Sequence, residues 1–138
     1  MIVTTDIADI LYRDCKCFGI KIVPFGKTLT GELPDERIAI HVKGQTPEKY
    51  WEKCFVEVNL CVPDLTDSTT CNVVDTVANF IRLRELERKA KDDFRSVTGR
   101  YKNTTYHYEV HTISIEADTA LKCHFVNCRL LFNVLNTI

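Results

Sequence analysis

The sequence has little of what several functional classes require. Glycine occurs only five times, at scattered positions, and no spacing matches the glycine-rich loops that hold nucleotide phosphates. The three serines, Ser68, Ser96 and Ser114, lie outside any G-x-S-x-G turn, so the pattern of a serine hydrolase is missing. We therefore expect no catalytic residue, no cofactor and no enzyme activity.

Long apolar runs and a dominant charge are missing as well. No apolar stretch approaches the roughly 18 residues of a transmembrane helix, and the N-terminal segment lacks the basic-then-apolar order of a secretory signal. A formal net charge of −1 gives no bulk attraction to nucleic acid or to an anionic membrane. We expect no membrane partner and folding in the cytoplasm.

The composition is that of an ordinary globular protein. The chain has 138 residues, of which 45% are hydrophobic and 27% charged. This length fits one domain better than two and suffices for a core without metals or disulfides. The sequence therefore predicts a single domain over residues 1–138.

Seven cysteines and four histidines are the features that invite a chemical role. An odd number of cysteines cannot pair completely, and several lie in apolar strand patterns, where a thiol behaves as a small hydrophobe. Cys123, His124 and Cys128 are close in sequence but lack the C-x-x-C spacing of structural zinc sites. His107 and His111 would lie about 13 Å apart along a strand, too far to share one ion. Reduced core cysteines and no metal site are expected.

Apolar periodicity predicts both helices and strands. Helical spacing predicts a short helix over residues 5–14 and a long helix over 72–94 that begins with Asn72 as its cap. The buried stripe expected on the long helix is Val73, Val77, Phe80, Ile81, Leu83, Leu86, Ala90 and Phe94. Alternating patterns predict strands over 36–43, 52–62, 104–116 and 121–136, with a brief strand over 20–23.

Breaker residues predict loops over residues 24–36 and 96–103, with Gly99 as the turn residue of the second loop. The fold class that follows is α+β. We expect an antiparallel or mixed β-sheet of about four to five strands packed against one long helix, with a short N-terminal helix.

The last predicted strand is apolar on both faces towards its end. Leu131 and Leu135 oppose Leu130, Phe132 and Val134. A strand covered on one face only would alternate with polar residues, so this strand is either central in its sheet or covered by a second subunit. Together with the long loop, it supplies the predicted interface residues: Phe25, Lys27, Leu29, Leu33, Leu131, Asn133 and Leu135.

Residues 82–102 carry eight basic residues and point to an alternative function. Three tyrosines that could stack on bases lie within or just after this segment: Tyr101, Tyr106 and Tyr108. A nucleic-acid-associated module using this segment is therefore an alternative. However, Glu85 precedes Lys89 by four residues, the favourable orientation for a helix ion pair. That spacing favours a salt-bridged solvent face without direct nucleic-acid contact. A small enzyme or ligand-binding domain without a motif is the second alternative, and it requires a concave pocket with an ionisable residue of perturbed pKa.

The order of elements, with the segments TTDIADILYRD, ERIAIHVK, CFVEVNLCVPD, TVANFIRLRELERKA and HFVNCRLLFNVLN, resembles one known family. The chain is similar over nearly its whole length to the tail-terminator and tail-completion (head–tail joining) proteins of tailed bacteriophages and prophages. The resemblance implies a structural virion protein, assembled in the host cytoplasm, that forms an oligomeric ring, often hexameric, at the head-proximal end of the tail tube. It implies tube subunits and connector proteins as partners, without a cofactor or enzyme activity.

Overall fold

The computed structural model describes residues 2–44, 51–67 and 75–135. Helix α1 spans Thr4–Asp14 and continues into a 3-10 turn at Cys15–Phe18. The later elements are β1 (Arg37–Val42), β2 (Trp51–Pro63), β3 (Leu65–Asp67), β4 (Asp75–Val77), α2 (Phe80–Asp93), β5 (Val97–Tyr101), β6 (Thr104–Asp118) and β7 (Cys123–Leu135). Neither helix among these residues is long and apolar enough to cross a membrane.

Five strands form one antiparallel sheet in the order β1-β2-β7-β6-β5, which curls into a half-barrel. Strand β7 lies at its centre and pairs along its whole length with β2, and on its other side with β6. Strand β7 therefore has a neighbouring strand on each side, and Leu131 and Leu135 on its second face are half-buried. Of the two placements predicted for this strand, the central one is found.

The predicted fold class is wrong. The protein is mostly β, with a short N-terminal helix and one small second helix, rather than a sheet packed against one long helix. Helix α2 begins at Phe80, where the Asn79 side-chain oxygen accepts a hydrogen bond from the Arg82 backbone N–H at 3.3 Å. Residues 75–77, which were expected to be helical, form β4, and residues 72–74 lie outside the described residues. The β-branched Val77 suits an extended strand paired with β3.

Both helices pack on one face of the sheet, here called the inner face. The predicted alternation of β2 is confirmed, because five inner residues are buried: Cys54, Val56, Val58, Leu60 and Val62. The second half of the predicted helical stripe is also confirmed, since Leu83, Leu86, Ala90 and Phe94 are buried. In its first half the prediction is wrong for Val77, Phe80 and Ile81, which are exposed, and Val73 lies outside the described residues.

Two tyrosines of β6 fix α1 to the sheet. The rings of Tyr106 and Tyr108 stack against Phe132 of β7 at centroid distances of 5.3 and 5.4 Å. The Tyr108 hydroxyl donates to Asp14 at 2.7 Å, and the Arg13 guanidinium donates to the Tyr106 hydroxyl at 2.8 Å. These bonds satisfy polar atoms that the aromatic rings carry into the core.

A β-bulge interrupts β6 near its middle. Val110 lies opposite Leu130 and Thr112 opposite Arg129, so His111 has no cross-strand partner of its own. The extra residue shifts the alternation between the faces of the strand. The regular spacing predicted between His107 and His111 is therefore broken, and His111 packs against Phe55 at a centroid distance of 5.4 Å.

The predicted loop over residues 96–103 is also wrong. Residues 97–101 form β5, and the turn lies at Lys102 and Asn103, whose φ angles are 48° and 64°. Two consecutive positive φ angles are typical of the tight turn that joins a β-hairpin. The predicted short helix, the strands that became β1, β2, β6 and β7, and the loop over 24–36 are confirmed within small shifts of their ends. The brief strand over 20–23 is reduced to one parallel bridge between Ile22 and Ile38.

Candidate interaction surface

The second half of β6 is an open edge of the sheet. Strand β5 pairs with β6 only from Thr104 to Tyr108, and the Phe94 carbonyl accepts a hydrogen bond from the Val110 N–H at 2.9 Å just beyond. Over residues 112–118, β6 pairs with β7 on one side, and no other described strand pairs with its free side. We call these residues the β6 edge. Such an edge presents backbone groups to which a further strand can bind.

Large apolar side chains are exposed at the start of α2 and on the β6 edge. Phe80 and Ile81, at the start of α2, are 62% and 74% exposed, and Ile115 of the edge is 37% exposed. Phe80 and Ile115 line a recess of ≈ 360 Å³, whose other residues are Arg84, Glu87 and Arg88. Apolar side chains gathered around a recess with a polar rim are typical of a protein-binding surface.

Strands β3 and β4 form a separate two-stranded hairpin, here called the arm. Leu65 lies directly opposite Val77, and the two side chains are 50% and 44% exposed. The two strands contact each other and make few contacts with the rest of the protein. A lone two-stranded hairpin is only marginally stable in water. The arm therefore offers two apolar side chains that the described residues leave about half exposed.

The predicted interface residues of the long loop divide into two groups. Phe25 is 56% exposed, and Lys27 is exposed at a recess beside β1. In contrast, Leu33 is only 5% exposed. Leu33 and Leu29 belong to a second, smaller core on the outer face of the sheet, with Cys61, Leu121, Cys123 and Phe125. This part of the loop covers its own sheet.

The predicted interface residues of β7 lie on the outer face, away from the loop. Leu131, Asn133 and Leu135 are half-buried and face Phe55, Lys53 and Trp51 of β2 in the strand register. Leu131 lies six residues along β7 from Phe125, which is about 20 Å in an extended strand. The structure thus does not bring the loop residues and the strand residues into one patch.

Sequence reasoning missed the β6 edge, the arm and the exposed start of α2. The helical spacing of Val77, Phe80 and Ile81 predicts a buried helical stripe there. Asn79 is a signal that could have corrected this, because asparagine is favoured as a helix cap and the buried stripe of α2 begins after it, at Leu83.

The basic segment over residues 82–102 is partly neutralised by acids. Arg82 makes two hydrogen bonds to the carboxylate of Glu36, at 2.7 and 2.9 Å. The expected ion pair of Glu85 with Lys89 is replaced, because Lys89 binds Asp93 at 2.9 Å and Glu85 binds Arg82 at 3.1 Å. Of the three tyrosines proposed to stack on bases, Tyr106 and Tyr108 are 2% and 1% exposed. These two rings are not available to a nucleic acid.

An open cleft of ≈ 600 Å³ lies between the ends of α1 and α2 and strand β5. Its one thiol is Cys17, whose pKa is raised by burial and by its hydrogen bond to the Asp93 carboxylate at 3.4 Å. A raised pKa keeps the thiol protonated and weakly nucleophilic at neutral pH. Arg13 in the same cleft is bonded to Asp14 and to Tyr106. The Cys17 thiol and the Arg13 guanidinium thus already have hydrogen-bond partners within the protein.

Five of the described cysteines fill the core, as predicted: Cys15, Cys54, Cys61, Cys123 and Cys128 are buried and unpaired. Burial raises the pKa of Cys54 to about 11 and that of Cys128 to about 12. Cys17 is exposed, and Cys71 lies outside the described residues. The described part of the chain contains no group of three or more His, Cys, Asp or Glu residues that could hold a metal ion. His124 instead lies 2.7 Å from the Asp64 carboxylate.

Comparison with protein-family models, with curated proteins and with solved structures found no match to this chain.

Proposed function

We propose that this protein is a structural subunit that assembles with copies of itself and with other proteins, and that it has no catalytic role. In the form that the sequence resemblance implies, it would be a virion protein at the head–tail junction of a tailed bacteriophage. An oligomeric ring would cap the tail tube and join it to the connector proteins.

The proposal rests on one observation: an open sheet edge lies beside exposed apolar side chains. The β6 edge leaves backbone donors and acceptors available over residues 112–118. Phe80 and Ile115 add apolar area at the same place. Binding of another protein to such a surface is favourable for two reasons. Strand pairing satisfies the backbone donors and acceptors, and apolar area is removed from water.

The arm supports the same proposal independently. Leu65 and Val77 are about half exposed on a hairpin that packs little on its own domain. Isolated hairpins of this size gain their stability from additional strands or from a packed face. A contact between subunits would supply that additional support.

Binding to tail tubes tests the proposed role directly. The protein is mixed with purified polymers of the tail-tube protein encoded in the same genome, and the polymers are sedimented and imaged by electron microscopy. The proposal expects the protein at one end of each tube and a halt in further tube growth. A protein that neither sediments with tubes nor changes their length contradicts the junction role. Binding along the whole tube contradicts it as well.

A further inference from the structure

Two thiols lie side by side on the outer face of the sheet. Cys61 lies opposite Phe125 in the pairing of β2 with β7, and Cys123 lies two residues before Phe125 on the same face. Both cysteines are unpaired, at 4% and 1% exposure, and both belong to the smaller core on that face. We propose that Cys61 and Cys123 form an oxidation site, at which a peroxide converts the two thiols into a reversible disulfide between β2 and β7.

The two thiols share a hydrogen bond. The Cys61 thiol donates it and the Cys123 sulfur accepts it, which lowers the pKa of Cys123 and raises the pKa of Cys61. Burial and the carboxylates of Asp118 and Asp64 oppose the lowering at Cys123 without reversing it. The thiolate is the reactive form of a cysteine. The pair therefore holds one sulfur that is ready to react beside a second sulfur that carries a proton.

The remaining buried cysteines differ from this pair. Burial is the main influence on Cys15, Cys54 and Cys128, and it raises the pKa of all three. Their thiols are protonated at neutral pH and react slowly. Within the described part of the chain, a second thiol is the leading influence on Cys61 and Cys123 and on no other cysteine. Oxidation should therefore be selective for these two.

A recess gives a small oxidant access to the pair. It has a volume of ≈ 190 Å³ and lies between the long loop and the outer face of the sheet. Cys61 and Asp118 line the recess, together with Leu29 and Phe125. Hydrogen peroxide is little larger than water, which occupies about 30 Å³ in the liquid, so it fits into this space.

The reaction balances with hydrogen peroxide as the oxidant. The Cys123 thiolate attacks one peroxide oxygen, so the O–O bond breaks, an S–O bond forms and hydroxide leaves. The Cys61 sulfur then attacks the sulfenic acid sulfur of Cys123. The S–O bond breaks as the S–S bond forms, and the Cys61 proton leaves with the hydroxyl group as water. The two thiols together lose two electrons, and the peroxide is reduced.

The disulfide links two positions that are far apart in the chain. The segment between Cys61 and Cys123 includes α2, β5 and β6. A bond that closes so long a loop lowers the entropy of the unfolded chain and so stabilises the folded state. Oxidation at this site therefore strengthens the fold, whether or not the chain assembles with copies of itself.

Peptide mapping of the unaltered protein tests the site. The folded protein is treated with hydrogen peroxide, unfolded in N-ethylmaleimide to block the remaining thiols, and digested without reductant. We expect a linked peptide pair that joins Cys61 to Cys123, two fewer blocked thiols than in untreated protein, and loss of the link in dithiothreitol. Free thiols at both positions overturn the proposal. Links spread over several cysteines overturn it as well.

Cys61→Ala and Cys128→Ala are matched variants for the same treatment. Cys128 is a buried cysteine that also lies on β7, but it belongs to the core on the inner face. Cys61→Ala should leave a sulfenic acid at Cys123 that dimedone traps, and Cys128→Ala should form the same link as the unaltered protein. Circular dichroism checks that both variants are folded. A folded Cys128→Ala without the link overturns the proposal, and so does a folded Cys61→Ala without sulfenic acid.

Thermal unfolding measures the effect of the link and requires no variant. The oxidised protein should unfold at a midpoint at least about 5 °C above that of the reduced protein, and dithiothreitol should abolish the difference. An oxidised protein with an equal or lower midpoint overturns the stabilising role of the disulfide.

Discussion

Ile81 and Leu83 lie two residues apart on α2, yet only Leu83 reaches the core. Leu83 is fully buried at 0% exposure, whereas Ile81 is 74% exposed. A two-residue step turns a helix by about 200°, so the two side chains lie on nearly opposite faces. One face of α2 therefore maintains the fold, and the other carries apolar area that the fold does not use.

This difference predicts opposite outcomes for two alanine substitutions. Leu83→Ala should lower the free energy of unfolding by about 2–5 kcal/mol, because it removes buried atoms and leaves a cavity. Ile81→Ala should change it by no more than about 0.5 kcal/mol, as is usual at exposed positions. Urea unfolding at low protein concentration measures both. A large loss of stability in Ile81→Ala would contradict the exposed position of Ile81 and favour the buried stripe that the sequence predicted.

Gly99 is predicted to be intolerant of any side chain. A Cβ at this position would lie 2.4 Å from the Tyr106 hydroxyl oxygen. The Tyr106 ring is 2% exposed and stacked on Phe132, so it has little room to move. Gly99→Ala should therefore lower the free energy of unfolding by about 1–3 kcal/mol through overpacking.

Gly44 provides the matched control for Gly99. A Cβ at Gly44 would meet nothing within 4 Å. Gly44→Ala should thus be neutral, or stabilising by up to about 1 kcal/mol through a lower entropy of the unfolded chain. Equal thermal midpoints for the two variants would show that Tyr106 does not occupy the space above Gly99.

Alkylation of Cys17 should depend on Asp93. Burial, and then the hydrogen bond to the Asp93 carboxylate, raise the pKa of Cys17, so its thiolate fraction near pH 8 is below that of an ordinary cysteine. Asp93→Asn removes the negative charge, lowers this pKa and should speed labelling at pH 8, by up to about tenfold for a full unit of pKa.

Asp92→Asn is the control, because Asp92 is the adjacent exposed carboxylate and makes no bond to Cys17. Iodoacetamide labelling with peptide mass mapping separates Cys17 from the other cysteines. Equal rates in both variants would remove Asp93 as a cause of the raised pKa. A slower rate in Asp93→Asn would reverse the sign of the effect.

The periodicity of apolar residues correctly predicted strands in which buried and exposed side chains alternate regularly. The alternation of β2 was read correctly because Val56, Val58 and Leu60 all face the same helices. The two apolar faces of β7 indicated a strand that is either central or covered by a second subunit, and β7 is central in the sheet. In these strands the burial of side chains repeats with the two-residue period of a β-strand.

Other features depend on contacts between distant parts of the chain, which periodicity does not report. Gly99 resembles a turn residue, but in the fold it makes room for the Tyr106 ring. The bulge at His111 is created by the register with β7. Val77, Phe80 and Ile81 have helical spacing, and only the fold reveals that they are exposed. The candidate surface was missed for this reason: an exposed apolar patch resembles a core in sequence.

The mass of the unaltered protein in solution tests the central claim most directly. Native mass spectrometry over a range of concentrations, alone and with tail-tube and connector proteins of the same genome, measures the number of subunits. Self-assembly predicts a closed ring of one defined size, formed alone or on the tube. A monomer under every one of these conditions would contradict the claim that this chain acts by assembling with copies of itself.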